Sequence, residues 1–145
     1  MSQPKKARQL VVDCDVLTSA GTRDNPRSTV CRLALEAIRD NGHTIHFSPQ
    51  LQREWTDHVA PQPGKGPSYG YTWSLQMLRA RRLKLLPQQP DSGIAHAVAQ
   101  LPVRAPEQRA MQKDVHLLET ALLHDHIILS RDENAYCLFF DAAAT

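Results

Sequence analysis

The segment QLVVDCD, Gln9 to Asp15, is a short apolar run with β-branched residues that ends in acids. Such a run reads as a strand covered on both faces, the kind a parallel sheet uses, with Asp13 at its carboxyl end. Ile127 to Leu129, IIL, has the same character and leads into Ser130-Arg131-Asp132. Between these two, HTIHF at His43 to Phe47 alternates weakly as a further strand, and Leu85-Leu86 marks either a short strand or a packed pair.

The intervening segments read as helices. Thr18 to Arg27 is loop-like by its Gly, Asn, Pro and Asp content, and Ser28 is a fitting cap for a helix over Thr29 to Asp40, with Leu33, Leu35, Ala37 and Ile38 inward. Ser48-Pro49 forms the N-cap and first turn of a helix carrying Leu51, Glu54, Trp55 and His58. Pro61 to Pro67 is a loop or hinge, and Ser68 to Leu83 has amphipathic spacing through Tyr71, Leu75, Met77, Leu78 and Arg82. A short helix follows over Ile94 to Leu101. Glu107 to His124 is the clearest helix, with a break near Gln112 and Val115, Leu118, Ala121 and Leu122 on one face. Strands alternating with helices predict an α/β fold, three layers deep, around a mainly parallel sheet. Open sheets of this kind bind ligands beyond the carboxyl ends of their strands, where Asp13, Asp15 and Asp132 all fall.

A chain of 145 residues with no break in composition supports one core, hence a single domain over residues 1–145 with a flexible basic start at 1–8. The formal net charge of +2 permits an anionic partner without demanding one. Its distribution says more, because Arg79, Arg81, Arg82 and Lys84 form a local basic cluster suited to backbone phosphates. Tyr69, Tyr71 and Trp73 beside it read as core aromatics before they read as stacking platforms for bases. Cys14, Cys31 and Cys137 are odd in number and widely spaced, which indicates neither a disulfide framework nor a zinc site and suits a reducing cytoplasm. No apolar run approaches the ~18 residues a membrane helix needs, so neither membrane insertion nor secretion is expected.

Four stretches together resemble the PIN-domain family: VVDCDVL at Val11 to Leu17, QREW at Gln52 to Trp55, KDVHLLETAL at Lys113 to Leu122, and IILSRDENAY at Ile127 to Tyr136. The resemblance places its four acids at Asp13, Glu54, Asp114 and Asp132, with Asp15 as a secondary polar position and Ser130 as a supporting hydroxyl. It implies a nuclease that cleaves single-stranded RNA with Mg2+ or Mn2+ held by Asp13, Asp114, Asp132 and Glu54. Residues 61–109 would be the variable helical insert beside the substrate groove. The usual last strand has no clear apolar counterpart in Asp141 to Thr145. Small single-domain relatives pair with an antitoxin and often dimerise, so an antitoxin protein and a homodimer are the implied partners.

Other readings compete. A PIN-like module that binds RNA or protein without cutting is the rival from another class, though such a scaffold has no physical need of four acids. The DxD of Asp13 and Asp15 is similar to that of haloacid dehalogenase-like phosphatases, but Leu17 stands where those need threonine or valine, and no lysine follows Lys113. Histidine pairs such as His124 with His126, or Glu54 with His58, lack further zinc ligands at a recognisable spacing. Cys14 between two acids should have a raised thiol pKa, as suits a small core residue.

Overall fold

The computed structural model describes residues 6–21 and 24–131. Strand β1, Gln9–Val12, leads directly into α1, Cys14–Ser19, and α2, Pro26–Asp40. Next come β2 (Thr44–Phe47), α3 (Pro49–His58), α4 (Tyr69–Arg79) and β3 (Leu83–Leu85). The helices α5, Ile94–Ala99, and α6, Ala105–Leu122, return the chain to β4, Ile127–Leu129. All pairings are parallel and the order is β3-β2-β1-β4. The chain steps from β1 outward to β3 and then jumps back across the sheet to β4. Right-handed crossovers therefore put α1 to α4 on one face and α5 and α6 on the other, the expected three-layer α/β/α arrangement. Its core is built on Val11 and Val12 of β1, Leu35 of α2, Ile45 of β2, Met77 of α4 and Leu117 of α6, all fully buried. No helix among the described residues is long and apolar enough to cross a membrane.

Several boundaries differ from the sequence reading for identifiable reasons. Helix α1, which the sequence reading did not name, begins straight after Asp13 and runs into the first residues of the stretch read as loop from Thr18, because the Asp13 side chain caps it by accepting from the Cys14 N–H. The cap of α2 is Asn25, whose Oδ1 accepts from the Ser28 N–H, with Pro26 at the first helical position, so Ser28 lies inside the helix. The inward face of α2 is Ser28, Cys31, Leu35 and Ile38, a stripe spaced by three and four that leaves Leu33 55% exposed and Ala37 outside as well.

Helix α4 stops at Arg79 rather than reaching Leu83. The Arg82 N–H bonds to Met77 O and the Arg81 N–H to Leu78 O, with Arg81 at φ +59°, which is a Schellman ending with arginine where glycine is usual. The inward residues of α4 are Gly70, Trp73, Ser74 and Met77, while Leu78 faces out. Gly70 lets α4 lie against α1, since a Cβ there would collide with the Leu17 carbonyl. Trp73 is a core residue as expected, and its indole N–H donates to Leu35 O.

Helix α6 runs unbroken through Gln112, so Asp114 sits inside it rather than opening a new helix. Leu122 is 51% exposed, and Leu117 takes the inward position instead. Strand β4 is only partly covered, with Ile127 39% exposed. The expectations for Asp132, for Cys137 and for the chain end at Asp141 to Thr145 lie outside the described residues.

Candidate active site

The sheet order creates one switch point, between β1, from which the chain leaves toward β2, and β4, to which it returns from the far side. Loops at the carboxyl ends of two such strands diverge and leave a crevice. Asp13 and Asp15 follow β1 there, and Ser130 and Arg131 follow β4. Register fixes the contact: Val12 pairs with Leu129, and the Asp13 N–H continues the ladder to Leu129 O at 2.9 Å.

Ser130 Oγ stands 3.1 Å from Asp13 Oδ2 and 3.3 Å from Asp15 Oδ2, sharing its single proton between two carboxylates. The Arg131 N–H donates to Asp15 Oδ2, and its guanidinium reaches Ser19 Oγ at 2.7 Å. The two acids are thereby held side by side by the end of β4. A turn into α1, rather than a continuing strand, is what sets their directions.

Two further acids reach the same place from other elements. Glu54 of α3 and Asp114 of α6 line a cleft of about 280 Å³ together with Asp13 and Asp15. The Glu54 carboxylate accepts from Gln50 Nε2, whose amide also reaches Lys113 O and so links α3 to α6. Asp114 is 5% exposed and lies mid-helix, where no helix N-terminus rewards its charge. Four of the five acids named from the sequence are therefore brought together, and Asp132 lies outside the described residues.

Burial and mutual repulsion dominate the electrostatics. Desolvation, then the Asp15 carboxylate, raises Asp13 to about 6, although Ser130 and the Cys14 N–H pull it back. Asp15 is also raised, chiefly by desolvation, with Arg131 and Ser130 opposing. Cys14 is buried, its Sγ set toward Leu51 O, and desolvation followed by Glu54, Asp13 and Asp15 pushes its thiol up. It is thus an inert core thiol, as expected from its position between two acids.

The sequence reading did not single out Lys113 or Thr18 as cleft residues, nor Arg131 beside Asp15. Lys113 adjoins Asp114 and Arg131 adjoins Ser130 in sequence, which was the only signal for them, and Thr18 carried none. His58, one turn beyond Glu54, also lines the cleft. The basic cluster is placed elsewhere. Arg79, Arg81 and Arg82 lie at the amino end of β3, opposite to the cleft along the strands, and Lys84 lies within that strand. Arg82 is engaged there by Arg39 O at 2.7 Å.

Among the described residues, no three His, Cys, Asp or Glu side chains are grouped closely enough to hold a metal ion as they stand. The chemistry of the donor set still fits a hard divalent cation, because the cleft offers carboxylate oxygens from three elements. Asp15 Oδ1 is buried without a hydrogen-bond partner among the described residues, an acceptor that a cation or its water would satisfy. No family model, no curated protein and no solved structure matches this chain.

Proposed function

We propose that the chain is a metal-dependent endoribonuclease of the PIN type, hydrolysing phosphodiester bonds in single-stranded RNA. The observation that supports this most is the convergence of Asp13, Asp15, Glu54 and Asp114 on one cleft at the switch point of the sheet. Keeping several carboxylates half-desolvated and close together costs stability, and a scaffold with no charged ligand has no use for that cost.

Asp13, Asp114 and Glu54 would hold Mg2+ or Mn2+, with Asp132 as the fourth acid of the resemblance and Asp15 as a secondary contact. A bound divalent ion supplies an activated water and polarises the phosphate. Ser130 fixes the spacing of Asp13 and Asp15, and Arg131 opposes the upward shift that burial gives Asp15. Lys113 at the rim and Arg131 behind it are the cations positioned to draw a phosphate toward an otherwise negative cleft. The resemblance also favours a toxin restrained by an antitoxin protein.

The test is cleavage of end-labelled single-stranded RNA with Mg2+ or Mn2+, run beside EDTA and beside a folded Asp13→Asn, Asp114→Asn double variant. Cutting by the wild type, abolished in both controls, is the expected result. RNA binding of equal strength by both proteins, with no cutting by either, would establish the non-catalytic module instead.

A further inference from the structure

Beside the acidic cleft runs a larger groove of about 1100 Å³, between the first turns of α2 and α4. Thr18 lines both, so the groove and the acidic cleft adjoin. The two helices have 15 and 11 residues, and both present their amino ends here through Asn25-Pro26-Arg27 and Ser68-Tyr69. First-turn N–H groups of a helix lack partners within it, and the dipole adds partial positive charge, which suits an anion.

A second observation points to a ligand independently of the helix ends. Ser28 lines this groove, is only 3% exposed, and its Oγ has no hydrogen-bond partner among the described residues. A hydroxyl buried without a partner weakens a fold unless something binds it. Arg27, next to it, is exposed and forms no salt bridge among the described residues.

We propose that this groove is a phosphate-binding subsite, in which the Ser28 hydroxyl, the Arg27 guanidinium and the first-turn amides that the caps leave over, those of Arg27, Tyr69 and Gly70, grip the backbone of a single nucleic-acid strand next to the bond presented to the acids. The strand, rather than free phosphate, is favoured because the groove is large and adjoins the acidic cleft at Thr18. Identifying the ligand as nucleic acid rests on the proposed nuclease reading, whereas the phosphate chemistry does not.

The experiment is amide-resolved NMR titration of the full chain in EDTA, where no cleavage occurs, with a single-stranded oligouridylate and, separately, with inorganic phosphate. Shifts at Arg27, Ser28, Tyr69 and Gly70 with the oligonucleotide are expected. In Arg27→Gln the Kd should rise several-fold and the slope of log K against log salt should flatten by about 0.7, one phosphate's share on a single strand. Ser28→Ala should weaken binding with its spectrum otherwise preserved, and Arg27→Gln, at an exposed position, guards against a folding artefact. Equal shifts from inorganic phosphate alone would overturn the strand as the source of the anion. Absence of shifts there with both ligands, or an unchanged Kd in Arg27→Gln, would overturn the subsite. Binding in EDTA is read without cutting, so failure of the nuclease reading shows separately, as groove shifts in a protein that never cleaves.

Discussion

Asp13 caps α1 through Oδ1 and meets Ser130 through Oδ2, while burial and neighbouring carboxylates oppose its charge. With a folded pKa near 6 against an ordinary value of 3.8, the folded chain binds this proton more tightly than the unfolded chain does. The resulting stability is fully present below pH 3.8 and is lost as the pH rises through about 6. Asparagine caps a helix as well as aspartate does and carries no charge. Each tenfold difference in proton affinity between the folded and unfolded chains is worth ~1.4 kcal/mol, so Asp13→Asn in EDTA should stabilise the fold by about 1–3 kcal/mol at pH 7.5. Urea denaturation of both proteins across pH 4 to 7.5 checks this, and the gain should vanish toward pH 4. A variant less stable than wild type at pH 7.5 would show that the carboxylate is held by favourable contacts rather than against repulsion.

At the scale of elements, α3 shows how one side chain joins two parts of the fold. Ser48 Oγ accepts from the Leu51 N–H to cap α3 and stands 2.6 Å from His116 Nδ1 on α6, with both residues buried. Desolvation, with Arg53 and Lys113 nearby, lowers His116 to about 4, so its ring is neutral and Nδ1 shares one hydrogen bond with the Ser48 hydroxyl. Ser48→Ala removes the cap and orphans a buried nitrogen, and should cost about 2–4 kcal/mol in urea melts at pH 7.5. The sign for His116 is opposite to that for Asp13: its contribution is intact above pH 6.5 and is lost as the pH falls toward about 4. The slope of stability against pH between 6.5 and 4 should accordingly be positive for His116, and shallower in a His116→Gln variant.

Ser48-Pro49 was legible in the sequence because serine before proline is a strong helix start. Asn25-Pro26 is the same signal, hidden among other loop-forming residues. The end of α4 was not legible, since Arg81 occupies a left-handed position that ordinarily announces itself as glycine. Helix α1 was missed because six residues are too few to display a period and its cap, Asp13, looked only like a strand end.

At the scale of the whole molecule, alternation of strands and helices sufficed for the fold class, and the crevice rule sufficed to put Asp13 and Asp15 beyond the end of β1, whereas Glu54 and Asp114 were named through the resemblance alone. That rule could not say which end of the sheet a basic cluster occupies, because that depends on where α4 stops and β3 starts. Arg79 to Lys84 fell on the far side for that reason. The acids and the sheet are thermodynamically linked: β1, α3 and α6 each bring negative charge to one cleft, so anything that neutralises it ties those elements together. A cation that binds only the folded chain stabilises it by about 2.7 kcal/mol at one hundred times its Kd. For a domain of this size each kcal/mol raises Tm by roughly 3 °C, so saturating Mg2+ or Mn2+ at pH 7.5 should raise it by roughly 5–10 °C. The Asp13→Asn, Asp114→Asn variant should start from a higher Tm in EDTA and gain almost nothing on adding metal. Equal gains in both proteins, reproduced by monovalent salt at matched ionic strength, would reduce the effect to screening of surface charge and remove the thermodynamic basis for a metal centre.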